Sequence, residues 1–189
     1  MIHDHVSVQE IVDSDCAHEF LMEASKLASS EELEDTSYRL ERKSEIFQRL
    51  LSAEAVEALD EERLRTLFGL VFFLRRKSKK FIAENGVEPL RNNIGLLLYG
   101  DQAPGRRLEQ FCSTVRGLDE PKMVALASEL MHFAHPERYW LWTSWIWDPK
   151  TEAGALPLVL QKDIDLQGDT LGDTQQGGPR HLHGQPGGT

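Results

Sequence analysis

Two carboxylate–imidazole pairs have a spacing that suits metal binding: Asp15 with His18, and Glu129 with His132. In each pair the side chains are three residues apart and share one face of a helix. Pairs of this kind hold two metal ions in some four-helix bundles, so convergence of the two would predict an iron, manganese or zinc site. With seven histidines and 31 acidic residues in 189 positions, chance alone predicts about one such pair. We therefore expect no metal or other cofactor, and solvated or capping histidines instead.

An aromatic segment at residues 139–147 contains all four tryptophans of the chain. Tryptophan and tyrosine bury about 150–250 Å² each and need a partner for their polar hydrogen, so such a cluster is either a plug in the core or the wall of a ligand site. On a helix or on an extended chain the tryptophans point to both sides, which predicts that both sides are covered. A ligand site here would stack on a flat or cationic molecule. The candidate ligand-binding residues are Tyr139, Trp140, Trp142, Trp145 and Trp147. An enzyme could use this region together with Glu129, His132 and His135.

Residues 75–80 carry five cations in six positions of a chain whose formal net charge is −10. Such a run is typical of a contact with a phosphate or an acidic partner. The alternative is structural, because cations in the C-terminal half of a helix complement its dipole. The candidate partner-binding residues are Arg75, Arg76, Lys77, Lys79 and Lys80.

Residues 117–125 read Gly-Leu-Asp-Glu-Pro-Lys-Met-Val-Ala and lead into a helical pattern that ends at His135-Pro136. This segment resembles the hairpin and following helix of the helix-hairpin-helix DNA glycosylases. The second glycine of that hairpin is absent, and Thr143 stands where that family has its catalytic aspartate. The resemblance therefore implies a degenerate, nucleic-acid-associated relative without glycosylase chemistry.

Capping residues and apolar spacing divide the chain into helices. Ser-x-x-Glu capping boxes at residues 7–10 and 29–32 predict the starts of the first two helices. Asp60 and Asp119 are candidate N-caps of later helices. The predicted helices cover about residues 7–27, 29–51 (as one helix or two), 61–84, 89–99, 104–116 and 120–134.

The longest predicted helix runs from residue 61 to about residue 84 and closes at Asn85-Gly86, where glycine can take the left-handed conformation. Residues 67–74 in its middle are apolar on every side, which predicts the most buried helix of the fold. Phe72 should then be a core residue whose replacement by alanine costs about 3–5 kcal/mol.

Length and composition predict one domain, since 40% of the residues are hydrophobic, which is enough for a single core. We assign residues 1–167 to a mostly α-helical domain of about six or seven helices, with a short extended segment near residues 155–160. Residues 168–189 contain seven of the fourteen glycines and almost no apolar residues, so we predict a disordered tail.

The net charge and the absence of targeting sequences make some classes of function improbable for this chain. A net charge of −10 argues against a nucleic-acid binder, because neutralising phosphates needs a basic surface. The chain shows neither an export signal nor an apolar run long enough to span a bilayer, so we expect a soluble cytoplasmic protein with reduced thiols at Cys16 and Cys112. Because no catalytic constellation is assembled, the leading hypothesis is a non-enzymatic protein that acts through a protein partner. A ligand- or metal-dependent enzyme and the degenerate helix-hairpin-helix relative are the alternatives.

Overall fold

The computed structural model describes residues 12–148 and 151–160. Helices make up most of this part of the chain, which confirms the predicted mostly α-helical fold. Its β pairing is limited to two isolated antiparallel bridges, Val12 with Leu160 and Asp148 with Ala153. The elements are α1 Ser14–Leu27, α2 Ser30–Leu50, α3 Ala53–Val56, α4 Glu61–Gly69, α5 Ser78–Asn85, α6 Val87–Tyr99, α7 Pro104–Thr114, α8 Glu120–Ala134 and a 3₁₀ turn at Leu156–Leu158.

One hydrophobic core joins the helices from the C-terminal third of α2 to α8. Helix α8 lies at its centre, because it packs against α2, α6 and α7 and buries residues on most of its circumference. Leu126 and Leu130 of α8 are fully buried, as are Phe68 of α4 and Ile94 of α6. Burial of this apolar area supplies the main stabilisation of the fold.

The predicted helix caps at Ser29, Asp60 and Asp119 are confirmed. Ser29 and Glu32 form a reciprocal capping box, in which each side chain accepts from the other residue's backbone N–H. Asp60 accepts from the backbone N–H of Arg63 at 2.9 Å. Asp119 accepts from the backbone N–H of Lys122 at 3.1 Å.

The first helix begins later than predicted. Its N-cap is Asp13, whose side chain accepts from the backbone N–H groups of Asp15 and Cys16. The residue before that cap, Val12, pairs with Leu160 instead of extending the helix. The predicted capping box at residues 7–10 and the predicted tail at residues 168–189 lie outside the described residues. The segment near 155–160, predicted as extended, contains the 3₁₀ turn, and Leu160 alone is bridged.

The single helix predicted for residues 61–84 is wrong. Helix α4 ends at Gly69, turns occupy residues 70–77, and α5 begins at Ser78. Two local costs favour the break: glycine is a poor helix former, and like charges three or four residues apart would repel each other in a continuous helix. Among the described helices, none has the length and apolarity required to cross a membrane.

Candidate partner-binding groove

A groove of about 610 Å³ lies where the turns after α4, the first half of α8 and the aromatic segment meet. Two of its side chains are large, aromatic and open to solvent: Phe72 is 76% exposed and Trp145 is 86% exposed. The sequence prediction that Phe72 belongs to the core is therefore wrong. The lining residues are Phe72, Phe73, Asp119, Pro121, Lys122, Ala125, Glu129, Thr143, Ser144 and Trp145.

The turns after α4 explain why Phe72 points outward. Val71 and Leu74 are fully buried, and the backbone N–H of Arg75 donates to the carbonyl of Val71 at 2.9 Å. These two anchors leave the intervening Phe72 on the solvent side. The guanidinium carbon of Arg75 lies 4.9 Å from the centre of the Phe72 ring, a cation–π distance. One rim of the groove is therefore both aromatic and cationic.

The basic segment, defined as residues 75–80, lies directly beyond that rim. Its five cations are exposed. Lys80 pairs with Glu84 at 3.5 Å, and the charge of Lys77 contributes to the lowered pKa of Asp119, whose main cause is hydrogen bonding from Lys122. Within residues 12–148 and 151–160, no salt bridge forms at Arg75, Arg76 or Lys79.

The position of the basic segment overturns its structural explanation from the sequence. The cations precede α5 or lie in its first turn, not in the C-terminal half of a helix. This end of a helix carries the positive pole of the dipole, which disfavours nearby cations. Helix α5 also has no side-chain cap and no acidic residue in its first turn. Arg75, Arg76 and Lys79 therefore lie at a helix end whose dipole does not offset their positive charge.

A buried polar anchor fixes the start of the aromatic segment. Tyr139 is buried, and its hydroxyl accepts from Nη2 of Arg107 at 2.8 Å. Arg107 is only 7% exposed, and its Nη1 donates to the carbonyls of Leu97 and Leu98 at 2.9 and 2.7 Å. Those carbonyls lie in the last turn of α6, where the negative pole of the helix favours a cation. The guanidinium of Arg107 therefore holds Tyr139 in the core, and backbone carbonyls stabilise its charge in place of a carboxylate.

Ser128 of α8 fixes the next turn of the chain. It is fully buried, and its Oγ accepts from the backbone N–H of Trp142 at 2.5 Å. A turn follows, in which the N–H of Ile146 donates to the carbonyl of Thr143 at 2.9 Å. Trp145 lies at the tip of this turn. The tip is therefore anchored to α8 on its N-terminal side.

Gly154 fixes the returning chain on the other side of the tip. The backbone N–H of Ala155 donates to the carbonyl of Trp145 at 2.9 Å, and that of Leu156 donates to the carbonyl of Ile146 at the same distance. Gly154 has φ +144°, and an added Cβ would lie 2.4 Å from the carbonyl oxygen of Ile146. Only glycine allows this approach. The backbone that presents Trp145 is therefore held on both sides.

The tryptophans divide between burial and exposure. Trp147 is buried and Trp142 is partly buried, whereas Trp140 and Trp145 are exposed. The expectation that both sides of the segment are covered is therefore wrong for Trp140 and Trp145. The reason is tertiary: the bonds to Ser128 and to the chain after Gly154 fix the backbone, so the indoles of Trp140 and Trp145 are not needed as anchors.

The two carboxylate–imidazole pairs are placed apart. Glu129 accepts from Nζ of Lys43 at 2.5 Å in a mostly buried ion pair, and Nδ1 of His132 lies 2.7 Å from the carbonyl oxygen of Tyr139. Asp15 and His18 are on α1, which packs against the 3₁₀ turn. In residues 12–148 and 151–160 no three His, Cys, Asp or Glu side chains are grouped as a metal site would need.

His135 ends α8 and contacts the Tyr139 anchor. Its ring lies edge-to-face with Tyr99, with centroids 5.6 Å apart. Nε2 is buried and has no hydrogen-bond partner among the described residues, and burial is the main cause that lowers the pKa of this imidazole. The neutral ring is therefore the form that the folded protein favours.

The segment that resembles a helix-hairpin-helix connects α7 to α8. Gly117 has φ +96°, and an added Cβ would lie 2.7 Å from Oε2 of Glu84, so glycine is required in this turn. Comparison with protein-family models, with curated proteins and with solved structures gives no match for this chain.

Sequence reasoning found the basic segment and Trp145 but missed the groove that joins them. The sequence predicts Phe72 as a core residue and Glu129 as a candidate metal ligand, and it gives no sign that Pro121, Lys122 and Ala125 share a surface with them. A usable signal was present: Gly69 followed by bulky residues and a dense cationic run is a poor continuation of a helix.

Proposed function

We propose that this protein is a non-enzymatic binding protein that holds an acidic, apolar-bearing segment of a protein partner in the groove between Phe72 and Trp145. The observation that carries the proposal is the basic segment at the uncapped N-terminus of α5, next to two exposed aromatic rings.

Electrostatics supports an acidic partner. Arg75, Arg76 and Lys79 lack intramolecular salt bridges within the described residues, and the helix dipole adds to their positive potential. The three cations repel one another, and a bound carboxylate would reduce that repulsion. Charges arranged in this way also speed association with an oppositely charged partner, by an amount that decreases with salt.

The aromatic pair supports a protein partner over a small anion. Tryptophan, tyrosine and arginine dominate the residues that contribute most to protein interfaces, where they fill pockets on the partner. Phe72 with Arg75 on one rim and Trp145 on the other supply these residue types around one concave surface. An apolar side chain of the partner would be buried between the two rings.

The contacts of the remaining candidate residues support binding over catalysis. Glu129 is paired with Lys43, and Nδ1 of His132 contacts the backbone carbonyl of Tyr139. Cys112 is partly buried, and its burial raises the pKa of the thiol to about 11, so it is a poor nucleophile at neutral pH. Glu129 lines the groove with a carboxylate that is already ion-paired, and neither His132 nor Cys112 is among the lining residues.

Affinity capture with quantitative mass spectrometry tests the proposal. The baits are the wild-type chain, the charge reversal R76E/K80E and the aromatic truncation W145A. The matched control is R65E/R106E, which changes the charge equally at two exposed residues outside the groove. We expect a protein that binds wild type and the control but is lost, by at least about tenfold, on both groove variants. The complex should then form from purified components.

Two outcomes would overturn the proposal. One is a set of bound proteins that does not differ between the groove variants and the control. The other is submicromolar binding of duplex DNA at physiological salt that R76E/K80E abolishes, which would favour the nucleic-acid alternative.

A further inference from the structure

Seven large apolar residues between residues 14 and 42 are exposed in the part of the chain that the structure describes. We propose that the segment that fills the groove is this α1–α2 arm, supplied by a second copy of the chain; this inference rests on the proposed function of the groove. The arm is defined as α1 together with residues 30–42 of α2.

The arm lacks a core of its own. No residue of α1 is buried, and residues 30–42 of α2 are all exposed. Thirteen large hydrophobic residues are exposed in the described part of the chain, and seven of them belong to the arm. Exposed apolar residues concentrated in one segment favour an interaction site, because burial against a partner removes them from water. These seven residues are Phe20, Leu21, Met22, Leu27, Leu33, Tyr38 and Leu40.

The charge of the arm complements the basic segment. Residues 14–42 contain eight acidic and three basic side chains, and four of the acids, Glu31, Glu32, Glu34 and Asp35, lie in the first turns of α2 next to Leu33. The basic segment offers five cations beyond the Phe72 rim, whereas the charged residues of the groove lining itself are Asp119, Lys122 and Glu129. The arm is therefore net acidic, whereas the rim of the groove at residues 75–80 is basic, so the two surfaces carry opposite net charge.

The arm joins the rest of the described fold, here called the body, at two places, one of which is at the groove. On one side, Lys43 is ion-paired with Glu129, which also lines the groove. On the other side, the backbone N–H of Asp13 donates to the carbonyl of Val159 at 2.9 Å, fourteen residues after Trp145 in the chain. In a two-fold dimer, an arm that reaches the partner's groove brings the partner's arm to its own groove. Two equivalent contacts would then form together.

The arm does not fill the groove of its own chain. The groove is lined by residues of the turns after α4, of α8 and of the aromatic segment, and no residue of the arm is among them. Helix α2 is continuous from Ser30 to Leu50, and Ser44 holds its inner part by donating to the carbonyl of Phe133 at 3.2 Å. Folding the outer part back would require breaking this helix. Among the described residues none of the arm occupies the groove, which leaves it to the second copy in the proposed dimer.

Complementation between two full-length variants tests the inference. The groove variant is R76E/W145A and keeps the arm; the arm variant is L33Q/L40Q and keeps the groove. The control is R65E/L96Q, with matched changes at exposed residues outside both surfaces. Association is measured by sedimentation equilibrium from about 1 µM to about 1 mM, with native mass spectrometry to identify mixed dimers. Circular dichroism confirms that each variant is folded.

We expect wild type and the control to dimerise, and each single-surface variant to dimerise at least about tenfold more weakly. A mixture of the groove and arm variants retains one intact contact, so it should form a mixed dimer of intermediate affinity. High salt should weaken every dimer.

Three outcomes would overturn the inference: a wild-type chain that stays monomeric throughout, a mixture no stronger than the separate variants, or a groove variant that dimerises like wild type. The last result would mean that arms pair with each other. A monomeric chain that still captures a partner through Trp145 and the basic segment would leave the proposed function standing, which separates the two failures.

Discussion

The two parts of α2 show how one sequence pattern serves two surfaces. Leu33, Leu40 and Phe47 are spaced by seven residues and follow one stripe along the helix. The first two are 55% and 47% exposed, whereas Phe47 is fully buried against Phe133 of α8. The residues of the stripe are apolar along the whole of α2. The difference is that Phe47 packs against a neighbouring helix, whereas Leu33 and Leu40 are exposed. An apolar stripe thus specifies a face, and only the tertiary fold decides whether its own chain covers that face.

The largest effect should come from the inner end of the stripe. Replacing Phe47 with alanine should cost about 3–5 kcal/mol of unfolding free energy, because it opens a cavity beneath Phe133. The same change at Phe72, which is exposed, should cost less than about 1 kcal/mol, and so should Leu40→Ala. Urea denaturation monitored by circular dichroism measures all three. Equal losses at Phe47 and Leu40 would erase the distinction between body and arm.

The next effect concerns the anchor of the aromatic segment. Arg107→Met should cost about 2–3 kcal/mol, because the buried hydroxyl of Tyr139 and two carbonyls of α6 lose a charged donor. Tyr139→Phe removes only the hydroxyl and should cost about 1 kcal/mol. Thermal denaturation compares the two variants, and the combined fluorescence of the four tryptophans, which all lie in the aromatic segment, should change only when the anchor is broken. An unchanged melting temperature in Arg107→Met would mean that the segment is held without this cation.

A smaller, pH-dependent effect should appear at His135. Because burial lowers the pKa of this group in the folded state, the unfolded chain binds a proton first as the pH falls below about 6.5. Stability should therefore be unaffected by this group above that pH and decrease as the pH falls toward the lower folded value. The charged and titratable groups around it are Tyr99, Arg107, Glu137, Arg138 and Tyr139.

Comparison with His135→Gln isolates this contribution. The variant should lose less stability than wild type between pH 7.5 and about 5.5, measured as the shift in urea midpoint. Identical pH profiles would show that the neutral ring does not contribute. This pH dependence reports on the body and not on the arm, because His18, the one histidine of the arm, is exposed.

The smallest effect should be confined to the arm. Ser29→Ala removes the capping box and should weaken the start of α2 by about 1 kcal/mol. Since the arm does not contact the core, the free energy of global unfolding should change little. Hydrogen exchange should show faster exchange in residues 30–42 and unchanged exchange in α8. Equal acceleration in both would place the arm inside the cooperative unit.

The sequence predicted features whose causes are local. The caps at Ser29, Asp60 and Asp119 follow from side chains that bond the adjacent backbone, so a few neighbouring residues contain all the information. The break after Gly69 could not be predicted in the same way, because it depends on how Val71 and Leu74 reach the core. The groove combines residues from three distant parts of the chain, and their convergence is a property of the packing of α8. The opposite exposures of Trp145 and Trp147 have the same origin.

The bridge between Val12 and Leu160 gives the described chain nearly coincident ends. Whatever precedes Val12 and follows Leu160 departs from one point, at the foot of α1. A domain with adjacent ends can be inserted into a loop of a host protein or circularly permuted without stretching its backbone. For this chain, new termini could be opened at the exposed turn at Asp101, between α6 and α7. Joining Val12 to Leu160 would then close the chain into a loop at the foot of α1.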